Sequence, residues 1–209
     1  MVKVMIVEDQ KLIRSLIESY VEKADGYELT ASISSAAKAP EICDAKPVDL
    51  IFMDVQTEHH ENGLTAVKII KQKHPNIKII VITSLVDFNI LKTARLNGAD
   101  SLWYKDVDEK TLTDVVARTM NGEHIFPDTP PVVDIGTAKS NEFTKTELIV
   151  LRYLVRGLSY GKIAEEMGIE VTTVKYHVTN MLHKTNFENK LQLALAVSNE
   201  KMIAELIEF

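Results

Sequence analysis

Five short apolar runs, each followed by a stretch of helical periodicity, constrain this chain more than any other feature. The runs lie at 2–7, 27–33, 50–53, 77–82 and 102–104. Four are nearly continuous in apolar residues, as expected of strands buried on both faces. The second alternates instead, with Tyr27, Leu29, Ala31 and Ile33 apolar. The first intervening helix is marked by Leu12, Ile13, Leu16, Ile17, Tyr20 and Val21 on one face. The third spans about 63–73, ahead of Pro75, and the fourth about 87–97, with Gly98 as its stop. The fifth uses Leu112, Val115, Val116 and Met120. The second is the least marked, because Pro40 must sit near its first turn. Five β–α units in series predict an α/β domain over residues 1–120, with a parallel sheet covered by helices on both faces.

Residues 121–143 break this rhythm. They hold Pro127, Pro130 and Pro131, together with Gly122, Gly136, Ser140 and Asn141. Such a segment reads as an interdomain linker, stiff around its prolines. A small all-α domain follows over residues 144–209. Thr144 and Glu147 have the spacing of a capping box, and Leu148, Leu151 and Val155 form the stripe of the helix that follows. Ser159 caps a short helix carrying Ile163, Ala164 and Met167, which Gly168 ends. A third helix is expected over 171–184. A fourth is expected over about 189–206, with Leu191, Ala194, Leu195, Val197 and Met202.

Composition excludes several classes. With 45% hydrophobic and 26% charged residues, the chain is neither fibrous nor largely disordered. No apolar run approaches the roughly 18 residues that span a bilayer. Glu8 and Asp9 directly follow the first apolar run, which does not suit a signal peptide. A lone cysteine, Cys43, allows no internal disulfide and no multi-cysteine metal site. These features predict a cytoplasmic protein. The formal charge of −6 argues against nucleic acid until the chain is divided. Residues 144–190 hold 7 basic and 5 acidic residues, net +2, and 171–184 contain no acid.

In open parallel sheets, ligands bind beyond the carboxyl ends of the strands. Those ends here carry Glu8 and Asp9, Asp54, Thr83 with Ser84, and Lys105. Three carboxylates on one rim repel one another, and a hard divalent cation such as Mg²⁺ relieves that repulsion. Such a rim suits phosphoryl chemistry. One carboxylate can act as nucleophile, Lys105 can pair with phosphate as a point charge, and Thr83 can donate a hydrogen bond to it.

At these residues the chain resembles the receiver domain of two-component response regulators, a flavodoxin-like fold with five parallel strands. The resemblance implies that Asp54 accepts a phosphoryl group from a sensor histidine kinase. It implies that Thr83 and Lys105 assist that transfer. It further implies that Asp9 binds Mg²⁺ directly, that Glu8 does so mainly through water, and that the backbone carbonyl of Gln56 completes the metal site. Two departures from the family pattern stand out. The loop after Asp54 reads VQTEHHENGL, one residue longer than usual before Gly63. Its His59, His60 and Glu61 read as a solvated loop rather than a metal site. Leu102 also occupies the position of the usual switch aromatic, so the usual coupling of Thr83 to that ring cannot operate through it.

On a helix over 171–184, Val174, Val178, Met181 and Leu182 share one face, while Thr172, Tyr176, Thr179 and His183 lie opposite. An apolar back and an acid-free front suit a helix seated in the DNA major groove. Thr144, Glu147, Leu151, Gly157, Leu158, Ser159, Ile163, Ala164, Thr173, Val174, Lys175, His177, Asn180 and Lys184 resemble the LuxR-type helix-turn-helix domain. With the receiver, that implies the NarL/FixJ class, whose members bind promoter DNA and form homodimers on phosphorylation. The match points to Lys175, Tyr176 and Thr179 as base-contacting positions, with His183 on the same face. Glu170 stands where the family usually has a Ser cap. The expected function is a phosphorylation-controlled transcription regulator, not an enzyme. Two alternatives remain open on residues alone. A phosphatase of the haloacid-dehalogenase type would need a second acid at position 56, which is Gln56. A DNA-binding regulator whose receiver works without phosphate is the other.

Overall fold

The computed structural model describes residues 1–105 and 109–203. They divide into two compact units: the first holds residues 1–84 and 88–129, and the second holds residues 85–87 and those from Pro130 on.

The first unit is built on a five-stranded parallel sheet of β1 (Val2–Val7), β2 (Tyr27–Ile33), β3 (Leu50–Asp54), β6 (Lys78–Thr83) and β7 (Ser101–Tyr104), in the order β2-β1-β3-β6-β7. Helices α1 (Lys11–Lys23), α2 (Ala39–Ala45), α3 (Gly63–Lys73), α4 (Phe88–Leu96) and α5 (Glu109–Met120) connect the strands. The parallel sheet with helices on both faces is thus the one expected from the apolar runs, and its five strands are those that the receiver resemblance implies. Along β1, β3 and β6, Val4, Ile6, Leu50, Phe52, Ile80 and Ile82 pack on Ile17 and Val21 of α1 and on Leu112, Val115 and Val116 of α5. Their alternates Met5, Val7, Ile51, Met53, Ile79 and Val81 face the other way and are equally buried. A fully buried Ile or Leu contributes about 1.5–3 kcal/mol, so β3, buried at every position, anchors the unit and the carboxylate at its end. Helix α1 departs from its expected face: Ile17 and Val21 are buried, but Leu12 is 74% and Leu16 59% exposed.

Two features of the first unit were not foreseen. Residues 56–62 fold into a small antiparallel hairpin, β4 (Gln56–Thr57) and β5 (Glu61–Asn62), with His59 at its tip at φ 57°. The start of the proline-bearing segment also lies along the β7 edge. Ile125 O accepts from Leu102 N at 2.8 Å, and Ile125 N donates to Ser101 Oγ at 3.1 Å. The Arg95 guanidinium stacks over the Phe126 ring.

The second unit contains α6 (Lys145–Val155), α7 (Tyr160–Met167), α8 (Val171–Thr185) and α9 (Lys190–Asn199). The capping box forms: Thr144 Oγ1 accepts from Glu147 N at 3.2 Å, and the Glu147 carboxylate accepts from Thr144 N at 2.7 Å. The buried residues of α6 are Glu147, Val150, Leu151 and Leu154, so its stripe is rotated from the expected Leu148, Leu151 and Val155. Helix α9 ends at Asn199 rather than near 206 and buries Leu193 and Val197, leaving Leu191 and Leu195 exposed. A hairpin of β8 (Asp134–Ile135) and β9 (Ala138–Lys139) stands where linker was expected. Ile135 and Ala138 enter the helical core. Thr137 donates from its backbone N to Thr185 O at 3.1 Å and from its hydroxyl to Lys184 O at 2.8 Å. The hairpin therefore satisfies carbonyls that the last turn of α8 cannot pair internally.

Candidate functional site

The parallel topology ends β1, β3, β6 and β7 on one rim, and the expected residues meet there. Carboxylate oxygens of Glu8, Asp9 and Asp54 lie within 4.8 Å of one another. Lys105 Nζ sits 2.6 Å from Glu8 Oε2 and 2.9 Å from Asp54 Oδ2. Glu8 Oε1 accepts from Gln10 N at 3.0 Å, and Asp54 Oδ1 accepts from Val55 N at 2.7 Å. Glu8, Asp54 and Thr83 are buried, and Asp9 is partly exposed at the mouth. The Thr83 carbonyl accepts from Lys105 N at 2.9 Å, which ties the ends of β6 and β7 together. Gln56 opens the hairpin directly beyond Asp54. Leu102 is enclosed in the core, two residues from Tyr104, the strand partner of Thr83.

Electrostatics follow from this packing. Burial pushes the Asp54 carboxyl up to about 7, a rise that Lys105 opposes and Glu8 reinforces. The Lys105 ammonium is held above its ordinary range: burial lowers it, but Asp54 and Glu8 outweigh burial. One buried cation, Lys105, thus pairs with two of the three clustered acids. The donor set is all oxygen, the kind hard divalent cations take, so the residues present fit a Mg²⁺ ion. Among the described residues this is the one such cluster of three acids or histidines. Glu61 lies outside it, bonded instead to Ser35, Ala37 and Thr57.

In the second unit, Gly168 ends α7 in the left-handed conformation, and α8 starts three residues later. Val174, Val178 and Met181 are buried beneath α8. Lys175, Tyr176, Thr179 and His183 all lie on its exposed face, Tyr176 at 63% exposure with its ring edge-on to His177. Lys184, counted in the basic stretch, turns away: its amine bonds Glu147 Oε2 at 2.8 Å and Glu142 O at 3.0 Å. That ion pair, made to the same carboxylate that closes the capping box, holds α6 to the end of α8. No helix among the described residues is long and apolar enough to cross a membrane.

Comparison with known proteins agrees with both units. Residues 4–117 match the response regulator receiver domain, and residues 141–197 match the luxR family of bacterial regulatory proteins. The response regulator protein VraR of Staphylococcus saprophyticus is 27% identical over 207 residues, spanning 97% of this chain and 99% of the relative. VraR of Staphylococcus aureus is 28% identical over the same shares. Among solved structures, RcsB of Salmonella enterica serovar Typhimurium, bound to a promoter in the presence of the phosphomimetic BeF₃⁻, superposes with TM-score 0.63 at 18% identity, covering 94% of this chain and 98% of that one. ChrA, from a heme-sensing two-component system, gives TM-score 0.51 at 20% identity, covering 97% and 98%. The chain belongs to the response regulator family. It is a transcription regulator that joins a receiver to a DNA-binding domain of the luxR type.

Proposed function

We propose that this regulator accepts a phosphoryl group on Asp54 from a sensor histidine kinase, and that the modification promotes a homodimer that binds promoter DNA in the cytoplasm. The observation that carries the reading is the rim itself: three carboxylates within 4.8 Å, with Lys105 bonded to Glu8 and Asp54. The nucleophile is the carboxylate of Asp54, already aligned by the Val55 N–H on Oδ1. Its attack on phosphorus forms an acyl phosphate as the bond to the donor's leaving group breaks. Lys105 exchanges its pairing with Asp54 for an oxygen of the incoming group, and the Thr83 hydroxyl donates to another. Mg²⁺ would be held by Asp9, Asp54 and the Gln56 carbonyl, with Glu8 acting through water, and would neutralise phosphoryl charge. Gln56, where a haloacid-dehalogenase phosphatase needs an acid, argues against hydrolytic turnover.

Intact mass after incubation with a small acyl phosphate and Mg²⁺ tests the assignment. Wild type is expected to gain one phosphoryl group and Asp54→Asn none. Equal labelling of the variant contradicts it.

For DNA, we assign reading to the exposed face of α8, with Lys175, Tyr176 and Thr179 at base edges and His183 beside them. Lys175→Ala is expected to cost about 1–3 kcal/mol and to relax preference at one base pair if the lysine reads a guanine. If it meets a phosphate, affinity falls evenly across sequences and the salt slope drops by about one. Binding titrations at several salt concentrations separate these. Unchanged affinity in both Lys175→Ala and Thr179→Ala removes α8 as the reading helix.

A further inference from the structure

The hairpin after Asp54 is fastened to the turn between β2 and α2 by a closed set of hydrogen bonds. Ser35 Oγ donates to Glu61 Oε1 at 3.0 Å, and Ala37 N donates to Glu61 Oε2 at 3.1 Å. Thr57 Oγ1 donates to the same Oε2 at 3.2 Å while accepting from Ala36 N at 3.0 Å. Ser35, Ala36 and Thr57 are buried, so this is packed structure rather than a solvated contact. At its other end the hairpin returns to the phosphoacceptor strand, where Gly63 N donates to Val55 O at 2.9 Å. Gln56 lies between these two fixed points and pairs with Asn62 in the ladder. Burial raises the Glu61 carboxyl, yet the donors from Ala37, Ser35 and Thr57 outweigh it and hold the group below its ordinary range.

We propose that Glu61 is a positioning residue for phosphoryl transfer. Its carboxylate latches the β4–β5 hairpin to the 35–37 turn and so fixes the backbone at Gln56, whose carbonyl the phosphoacceptor reading gives to the metal. The inference rests on the Mg²⁺-dependent phosphoacceptor reading and deepens it. The side chain expected in a solvated loop is instead bonded to the 35–37 turn and to Thr57. Outer-shell partners of this kind typically change metal affinity by about 10–100-fold when removed.

Glu61→Gln and Glu61→Ala separate positioning from charge. A glutamine can turn its carbonyl to Ala37 N and Thr57 Oγ1 and its amide to the Ser35 oxygen, so every bond survives without the charge. Mg²⁺ titration by calorimetry on the full chain is expected to give Glu61→Gln a dissociation constant within about twofold of wild type, and Glu61→Ala one weaker by about tenfold or more. Acyl-phosphate labelling of Glu61→Ala should slow at low Mg²⁺ and recover at saturating Mg²⁺. Amide exchange at Ala36 and Ala37, measured without metal, should speed up in Glu61→Ala alone. A purely structural role would lower the melting temperature of Glu61→Ala and leave the Mg²⁺ constant of the folded protein unmoved, which overturns the proposal. Glu61→Gln as weak as Glu61→Ala also overturns it, because charge rather than position would then matter. If Glu61→Ala does not fold, Thr57→Val decides: weaker Mg²⁺ binding supports the latch and an unchanged constant rejects it. Wild type that neither binds Mg²⁺ nor is labelled refutes the phosphoacceptor reading itself, and the proposal with it. Normal wild-type labelling with an unmoved Glu61→Ala refutes only the latch.

Discussion

In metal-free protein, Asp54→Asn is expected to raise stability near pH 8 by about 2–4 kcal/mol and to remove a pH dependence that wild type shows. The sign follows from the direction of the shift. The folded carboxyl is raised from its ordinary 3.8 to about 7, chiefly by burial. Between those values the folded state binds more protons than the unfolded one, so wild-type stability falls as pH rises through this window. A full rise of about three units is worth roughly 4 kcal/mol, and the retained Lys105–Glu8 pair keeps the variant's lysine satisfied. Urea unfolding of both proteins at pH 5 and pH 8 gives the difference directly. Identical pH dependences would show that Asp54 is not held against its charge. A buried carboxylate that weakens its own fold is the ordinary cost of a preformed anionic site.

Gly63→Ala is expected to be the most damaging single-atom addition in the first unit. A Cβ at Gly63 would stand 1.8 Å from the backbone oxygen of Asp54 and 3.2 Å from the Met53 side chain. The nearest obstacle is main chain of a fully buried strand, so a rotamer change cannot relieve it. We expect a loss of about 4 kcal/mol or more, at the far end of the range for point mutants, together with loss of phosphorylation. Chemical denaturation and acyl-phosphate labelling measure the two effects. A loss below about 1 kcal/mol would mean that the hairpin does not return this closely over Asp54.

The parts of the fold that sequence patterning revealed are those in which one physical demand dominates. Strands covered on both faces must be apolar throughout, and the runs at β1, β3 and β6 therefore announced a parallel sheet. Because parallel strands end on one rim, the residues just after them form a candidate site on sequence alone. The β4–β5 hairpin had no such signature. Gln56, Thr57, Glu61 and Asn62 are polar, and the partners of Thr57 and Glu61, Ser35 to Ala37, lie 21 to 26 residues away in sequence. The β8–β9 hairpin was hidden for a related reason: two-residue strands carry no period, and what fixes them is the unpaired end of α8. Helix α9 is apolar on opposite sides, with Leu191 and Leu195 on one and Leu193 and Val197 on the other, so periodicity could not tell core from surface. Residues 204–206, expected to continue that helix, lie outside the described residues. In the site, residue types were legible, but not the depth of burial of Glu8 or the sharing of Lys105 between two acids. Those depend on how far each strand end is enclosed by its neighbours.

Control of DNA binding by phosphorylation of Asp54 is tested most directly by a footprint on the protein's own genomic DNA, with and without an acyl phosphate donor, for wild type and Asp54→Asn. Wild type with donor is expected to protect paired half-sites about one helical turn, roughly 10 base pairs, apart, as two α8 helices on one face of the duplex require. Wild type without donor, and Asp54→Asn in either condition, should protect these sites only at much higher concentration. Equal protection by all four samples would contradict phosphorylation control and leave a DNA-binding protein whose receiver acts without phosphate.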